Sequence, residues 1–223
     1  MQERAERTRY LIITAAAQAF ETQGFKSAAI SQIAKQAEVT KGGLYFHFQS
    51  KQELAEAVHD AAAQTLRTMT DRAREPRAGR LPVQALIDLT HDVFQRLGED
   101  SVLRAGLLLS EDPALPPDAL VLPGPQWEEL TRAVLAGPAA ATNPELRVLA
   151  NTLGHIIGGL ELMGRRRREP DAAAMLAAVW SLLLPGLVGA DQVARYRPGG
   201  DSPSSPAAAP AAAGAGAAAG AGN

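Results

Sequence analysis

The chain has 223 residues, enough for one large domain or two small ones, and its 22 Lys and Arg nearly balance its 24 Asp and Glu. A net charge of −2 excludes a uniformly basic protein, so binding of nucleic acid would need a local basic surface. The absence of cysteine excludes disulfides and a cysteine nucleophile, and the four scattered histidines show no metal-ligand spacing, so we expect no metal and no cofactor. The charged start, MQERAERTRY, is unlike a signal peptide, which predicts a cytoplasmic location.

Helical periodicity dominates the sequence and no segment alternates like a half-buried strand, so the predicted fold class is all-α. The first helix carries an apolar stripe made of Leu11, Ile12, Ala15, Ala16, Ala19 and Phe20. Gly24 is predicted to end this helix, because glycine commonly follows the last helical turn. Ser27 is the predicted N-cap of a second helix that runs to Gln36.

Two capping signals follow in the next part of the chain. Residues 37–39 are predicted to make a tight turn, after which Thr40 caps a short third helix that reaches about Phe46. Ser50 and Glu53 have the spacing of a capping box, in which each side chain satisfies a backbone N–H at the start of a helix. They predict the beginning of a long fourth helix.

The rest of the chain is predicted to be helical up to a C-terminal tail. The fourth helix runs toward Thr70, and Pro82 suits the first position of the next helix. Helices are predicted at about 82–98, 101–111, 125–136, 143–166 and 171–188. The last one is apolar on every side, as in a dimer core, and Pro185 interrupts its run and argues against a membrane span. Residues 198–223, rich in Ala, Gly and Pro, are predicted to be a disordered tail.

Residues 30–48 show the most informative pattern, with apolar side chains spaced to bury two short helices and the turn between them: Ile30, Ile33, Ala34, Val39, Leu44 and Phe48. The pattern is typical of a helix-turn-helix, whose second helix lies in the DNA major groove. That helix carries groups that suit phosphate oxygens and glycines that allow close approach: Thr40, Lys41, Gly42, Gly43, Tyr45 and His47. Residues 1–50 hold six Lys or Arg against four Glu, which biases positive charge toward this end. The alternative is an ordinary helical hairpin with a solvated basic face.

From Arg7 to about Leu54 the chain resembles the TetR family of bacterial regulators. The resemblance is carried by Ile13-xx-Ala16, Phe20-xxx-Gly24-Phe25, Ile33-Ala34, Ala37-x-Val39-Thr40-x-Gly42-x-Leu44-Tyr45-x-His47-Phe48 and Lys51-xx-Leu54. It implies DNA contacts for Thr40, Lys41, Gly42, Tyr45, His47 and Lys51. We also expect Ser27 and Ser31, at the start of the second helix, to cap that helix and touch phosphate.

Two of the implied DNA contacts have structural alternatives. His47 is flanked by aromatic residues that we expect to be buried, and a lone histidine is usually structural, although a phosphate contact is favoured here. Tyr45 is a candidate for partial burial, with its hydroxyl reaching the DNA backbone.

The segment TKGGLYFHFQSKQELA, with Val102–Leu109 and with Trp127 after a Pro-rich loop, is similar to the γ-butyrolactone autoregulator receptors. These are TetR-family repressors that control antibiotic and other secondary-metabolite genes. The resemblance implies that Trp127 contacts the ligand; the alternative is that Trp127 only fills the core. A small lactone needs an apolar cavity, for which helical spacing favours these further wall residues: Leu86, Thr90, Leu107, Gly154, Ile157 and Gly158.

The combined interpretation is a homodimeric repressor with a DNA-binding domain at 1–50 and a ligand-binding and dimerisation domain at 51–197. We expect a pseudo-palindromic double-stranded operator, a small lipophilic ligand such as a γ-butyrolactone or related lactone, and no membrane. The dimer is expected to form through the last two helices, 147–164 and 171–188. Two alternatives within the family are a pseudo-receptor that answers to antibiotics and a multidrug-type repressor. An enzyme is not expected, because no Ser-His-Asp spacing, phosphate loop or carboxylate pair is present.

Overall fold

The computed structural model describes residues 2–75, 81–110, 112 and 172–201. Within these residues every regular element is helical, which confirms the all-α prediction. The helices are α1 (Gln2–Ser27), α2 (Ile30–Gln36), α3 (Lys41–His47), α4 (Lys51–Arg74), α5 (Pro82–Glu99), α6 (Ser101–Leu109) and α7 (Ala172–Val188), followed by a 3-10 turn at Val193–Arg195. The predicted helices at 125–136 and 143–166 lie outside the described residues. No helix in the described part of the chain is long and apolar enough to cross a bilayer.

Gly24 interrupts α1 close to its end, as the sequence predicts, but Ser27 does not cap the start of α2. Gly24 has φ 78° and ψ 161°, a conformation that L side chains rarely adopt, and it interrupts the helix one turn before Ser27. That extra turn absorbs Ser27 into α1, so the predicted N-cap at Ser27 is wrong. Ala29 takes the cap position of α2 without a side-chain hydrogen bond. The predicted stripe is buried except for Leu11, which is exposed.

Backbone and side-chain caps hold α3 and the start of α4 as the sequence predicts. The Thr40 hydroxyl oxygen accepts a hydrogen bond from the Gly43 N–H at 2.9 Å, and α3 runs one residue beyond the predicted end. The Ser50 hydroxyl accepts from the Glu53 N–H at 3.0 Å, and the Glu53 carboxylate accepts from the Gln49 N–H at 2.6 Å. The turn before α3 places Glu38 in the left-handed region, at φ 55°.

The buried side chains form two cores that share α4 and α6. The N-terminal core combines α1, α2 and α3 with the first turns of α4, and the C-terminal core combines the rest of α4 with α5 and α7. On α6, Ala105 and Leu109 belong to the N-terminal core, whereas Leu103 and Leu107 belong to the C-terminal core. The two cores therefore meet inside α4 and α6, and the domain boundary at residue 50 stays a prediction.

The crossing of α6 over α4 requires glycine at position 106. A Cβ atom built on Gly106 would lie 2.2 Å from the Ala62 Cβ and 3.5 Å from the Val58 carbonyl oxygen. Side chains do not tolerate the first distance, so the two helices approach this closely only because Gly106 lacks a Cβ.

A polar face of α5 binds the backbone of the chain after α7. The Gln84 amide accepts from the Arg197 N–H at 2.8 Å, and the Asp88 carboxylate accepts from the Asp201 N–H at 2.8 Å. A ring nitrogen of His91 lies 2.8 Å from the carbonyl oxygen of Pro198. Residues 198–201, which the sequence analysis assigns to the tail, therefore contact α5, and the remainder of the predicted tail lies outside the described residues.

Candidate nucleic-acid interface

Two buried side chains on its inner face anchor α3. Leu44 and Phe48 belong to the N-terminal core together with Ile33 of α2 and Phe20 of α1. This anchoring confirms the predicted helix-turn-helix packing. It also sets the rotation of α3 about its own axis and directs the opposite face of the helix to solvent.

The first turn of α3 presents backbone N–H groups on the exposed side. Leu44 donates its N–H to the Thr40 carbonyl oxygen, and Gly43 donates to the Thr40 hydroxyl oxygen. The N–H groups of Lys41 and Gly42 precede the first intrahelical bond, so they are available to an external acceptor. A phosphate oxygen is such an acceptor, and the Thr40 hydroxyl can donate to the same anion.

The two glycines of α3 have different relations to the fold. A Cβ at Gly43 would lie 3.2 Å from the Thr40 hydroxyl oxygen, so this glycine protects the cap. A Cβ at Gly42 would meet nothing closer than that oxygen at 4.0 Å. The fold therefore has room for a side chain at Gly42. Glycine at this position costs about 1 kcal/mol of helix propensity, and no contact within the protein requires it.

Lys41 and Tyr45 lie one turn apart on the exposed face of α3. The Lys41 ammonium nitrogen is 5.9 Å from the centroid of the Tyr45 ring, close enough for a cation–π contact. Tyr45 is 43% exposed, so part of the residue is covered by the protein, and its contact with DNA stays a prediction. The pair forms a positively charged, hydrogen-bonding surface next to the N–H groups of the first turn.

Phe46 is a residue that the sequence reasoning missed. Its side chain is 83% exposed, although a phenylalanine between Tyr45 and His47 was expected to be buried. His47 is half-buried and packs edge-on against the Phe46 ring, with centroids 5.4 Å apart. The prediction of buried aromatics on both sides of His47 is therefore wrong for Phe46 and right for Phe48. The signal was present in the helical geometry, because Leu44 and Phe48 face the core and Phe46 lies midway between them along the helix.

Lys51 lies at the start of α4 and holds the segment between α1 and α2. Its ammonium donates to the carbonyl oxygens of Lys26 at 3.0 Å and Ala28 at 3.1 Å, and it lies 4.8 Å from the centroid of the Phe25 ring. Two of its three N–H groups are thus used inside the protein. The structure gives Lys51 a positioning role, and the implied DNA contact stays a prediction that the third N–H would have to fulfil.

The remaining predicted DNA contacts lie on the exposed surface near α2. Ser27 is the last residue of α1, and Ser31 is in the first turn of α2; both are exposed. Arg9 of α1 adds positive charge beside α3, with its guanidinium carbon 4.9 Å from the centroid of the Phe48 ring.

The predicted ligand-wall residues that the structure describes are fully buried. Leu86 and Leu107 belong to the C-terminal core, and the Thr90 hydroxyl accepts from the Trp180 indole N–H at 2.9 Å. Trp127, Gly154, Ile157 and Gly158 lie outside the described residues.

A groove of about 620 Å³ between α4 and α5 has a different lining. Polar and charged side chains predominate there, and the lining residues are Gln64, Thr65, Thr68, Met69, Arg72, Ala73, Leu89, Asp92, Gln95, Arg96 and Glu99. Leu86, Thr90 and Leu107 do not reach this groove. Their role as ligand contacts stays a prediction.

Comparison with known families and structures agrees with this geometry. Residues 12–58 match the model of the bacterial regulatory proteins of the tetR family. The A-factor receptor protein of Streptomyces griseus is 29% identical over 208 residues, which cover 89% of this chain and 70% of that protein. A crystal structure of an ArpA-like gamma-butyrolactone receptor is 32% identical, with a TM-score of 0.69, and covers 86% of this chain and 94% of that one. The TetR family protein CprB from Streptomyces coelicolor, in complex with its biological operator sequence, is 33% identical over the same shares, with a TM-score of 0.68.

Proposed function

Because this chain belongs to the TetR family of bacterial transcription regulators, we propose that it is a repressor that binds an operator through α3 and releases it when a small lactone-type ligand binds. The genes it controls would be those of secondary metabolism. The observation that carries the proposal is the exposed face of α3, where Gly42 and Phe46 have no function inside the fold. Both are explained if a DNA duplex lies against that face.

Two copies would bind a pseudo-palindromic operator. One seven-residue recognition helix makes too few base contacts for a specific site, whereas a dimer places two such helices in successive major grooves, about 34 Å apart. The solvent side of α7 supports such pairing. Leu182 is 82% exposed and Met175 is exposed on a 17-residue helix without formal charge, a surface that a second copy would cover.

The position of α6 supports control by a ligand. Its side chains are divided between the two cores, so a change in the C-terminal core would move α6 against the N-terminal core. The ligand acts only through its different affinities for the two arrangements. A 100-fold loss of operator affinity would require a coupling free energy of about 2.7 kcal/mol.

The similarity to proteins named as γ-butyrolactone receptors favours a lactone as the ligand. A pseudo-receptor that answers to antibiotics is one alternative. A multidrug-type repressor is the other alternative. This chain is 23% identical to a solved repressor of a multidrug efflux pump, and at that identity the similarity concerns the fold alone.

The test is an electrophoretic mobility shift on the DNA upstream of the gene for this protein, with selected duplexes from a random pool as a second source. We expect a retarded complex that dissociates on addition of a synthetic γ-butyrolactone or of organic extract from the producing culture. Trp127→Ala should still bind DNA and should no longer respond. Operator affinity that is unchanged at saturating lactone would contradict the proposed ligand, and release by an antibiotic instead would identify a pseudo-receptor.

A further inference from the structure

The side chain of Arg104 connects α6 to two other helices. Its Nε donates to the Glu21 Oε1 of α1 at 2.8 Å and its Nη2 donates to the Oε2 at 3.2 Å. Its Nη1 donates to the carbonyl oxygen of Leu97, near the end of α5, at 2.5 Å. One guanidinium therefore joins a helix of the N-terminal core to the end of a helix of the C-terminal core.

The chemistry of both acceptors explains why they bind the guanidinium. The Leu97 carbonyl is one of the last four of α5, which lack intrahelical partners and accept bonds from basic side chains. The Glu21 carboxylate receives two parallel N–H groups from the rigid guanidinium fork, a geometry that a lysine ammonium cannot reproduce. The side chains of Arg104 and Glu21 are only 14% and 28% exposed, so solvent screens the pair less than it screens a surface pair.

The pair differs from another arginine pair nearby. Arg96 contacts Asp100 one helical turn away, at 3.1 Å, and the arginine side chain is 51% exposed. That contact lies at the junction of α5 and α6, where Asp100 also caps α6, and it does not reach α1. Arg104 and Glu21 are 83 residues apart in the sequence, so their contact constrains the orientation of α1 relative to α6.

The orientation of α1 is passed on to α3. Phe20 of α1 and Leu44 of α3 lie in one buried core, so α1, α2 and α3 move as a unit. Apolar contacts of Ala105 and Leu109 also attach this unit to α6, but such contacts are non-directional and allow some rotation. The Arg104 fork adds the directional constraint.

We propose that Arg104 is a positioning residue that sets the angle between the DNA-binding helices and the regulatory domain, and thereby the spacing of the two recognition helices in a dimer. The inference rests on the proposed function, because spacing matters only if two copies bind one duplex. Without the pair, each DNA-binding unit would keep its fold and its affinity for a half-site. The dimer would lose its preference for one distance between half-sites.

The experiment compares wild type with Arg104→Gln, Glu21→Gln and the double variant on three kinds of duplex. These are the selected full site, a single half-site, and full sites with one to three base pairs added or removed between the half-sites. We expect half-site affinity to stay within about twofold and full-site affinity to fall about tenfold, which corresponds to about 1.4 kcal/mol. Affinity should fall less steeply with altered spacing in the variants than in wild type.

Three controls separate positioning from other effects. Arg96→Gln removes an arginine from an ion pair that does not reach α1, and it leaves the Asp100 cap of α6 in place, so it should behave as wild type. The double variant should lose no more affinity than either single variant, because the two residues act through one contact. Arg104→Lys keeps the charge without the fork, so it tests the geometry even if Arg104→Gln folds poorly, and it should show intermediate spacing tolerance.

The outcomes are distinguishable. If wild type prefers two half-sites and the Arg104 variants keep its affinity and spacing profile, the positioning role is overturned and the proposed function stands. An equal loss on half-sites and full sites, in variants that unfold at the wild-type temperature, also overturns it. If wild type shows no preference for paired half-sites, the proposed dimeric function fails, and the inference fails with it.

Discussion

Two residues of α3 have properties that the fold does not explain. Gly42 has free space around its missing Cβ, and Phe46 exposes a large apolar ring to solvent. A helix under selection for stability alone would carry a helix-forming residue at position 42 and a polar residue at position 46. At the scale of single residues, the candidate interface is therefore recognised by two residues, Gly42 and Phe46, that do not stabilise the fold.

Replacing Gly42 with leucine should separate folding from DNA binding. We expect the free energy of unfolding to stay the same or to rise by up to about 1 kcal/mol, because the side chain has room and glycine is a poor helix former. DNA affinity should fall by about tenfold or more, since the new side chain would hold the helix away from the groove, a loss of about 1.4 kcal/mol. Thermal unfolding and fluorescence anisotropy measure the two quantities.

Gly98→Leu is the matched control, because Gly98 is also an exposed helical glycine at which an added Cβ would meet no atom within 4 Å. It lies near the end of α5, outside the candidate interface, and should leave DNA affinity unchanged. Equal DNA affinity in wild type and Gly42→Leu would show that α3 does not approach the duplex as closely as we propose.

Phe46→Ala should weaken DNA binding without weakening the fold. The ring is exposed, so the free energy of unfolding should change by no more than about 0.5 kcal/mol. An aromatic ring in the major groove commonly contacts the thymine methyl group. Wild type should therefore lose affinity when one thymine of the half-site is replaced by uracil, whereas Phe46→Ala should be insensitive to the same replacement. A uracil scan in which both proteins lose the same affinity at every position would exclude this contact.

At the scale of elements, α6 is the helix whose packing depends on both domains. Gly106 allows it to cross α4 in contact with Ala62, while alternating side chains enter the two cores. Helical propensity favours alanine over glycine within a helix by about 1 kcal/mol. A Cβ at this position would lie only 2.2 Å from the Ala62 Cβ, far inside contact distance. The steric clash therefore outweighs the gain in helix propensity.

Gly106→Ala should therefore destabilise the protein by about 1–3 kcal/mol, the usual cost of overpacking a core. The measurement is urea unfolding followed by circular dichroism. Combining it with Ala62→Gly, which removes the opposing methyl group, should recover part of the loss. A Gly106→Ala variant as stable as wild type would show that α6 can shift away from α4 at little cost.

At the scale of the whole molecule, one buried histidine connects global stability to pH. His59 is buried in α4, and its Nε2 has no hydrogen-bond partner in the described part of the structure. Burial lowers the pKa of His59 below its ordinary value of 6.5, with Asp60 opposing the shift. The unfolded chain thus binds a proton at His59 at a higher pH than the folded chain does. Folding stability is therefore lost as the pH falls through the unfolded value of 6.5.

His59→Leu should reduce this loss. Between pH 7.5 and 5.5 the free energy of unfolding of wild type should decline more steeply than that of the variant, with a difference in slope of at most about 1.4 kcal/mol per pH unit. Urea unfolding across this pH range gives both slopes. Parallel slopes would show that His59 is protonated equally in the folded and unfolded states.

Local signals in the sequence determined the elements around the candidate interface. These signals act over only three or four residues, so they can be predicted without knowledge of any tertiary contact. They are the Thr40 cap, the Ser50–Glu53 capping box and the helix stop at Gly24. The apolar spacing of residues 30–48 likewise determined the helix-turn-helix. Ser27 is the exception, because a single further turn of α1 displaced its cap.

Only the tertiary structure decided how these elements meet. Arg104 and Glu21 are 83 residues apart, Trp180 and Thr90 are 90 apart, and nothing in their local sequence indicates the partner. Such pairs form because two helix faces are brought together by burial of apolar surface, which is non-directional and does not specify which polar groups will lie opposite each other. The sequence alone thus determined where α3 and α4 begin and which face of α3 is buried, and the packing of α6 decided how the two cores are joined.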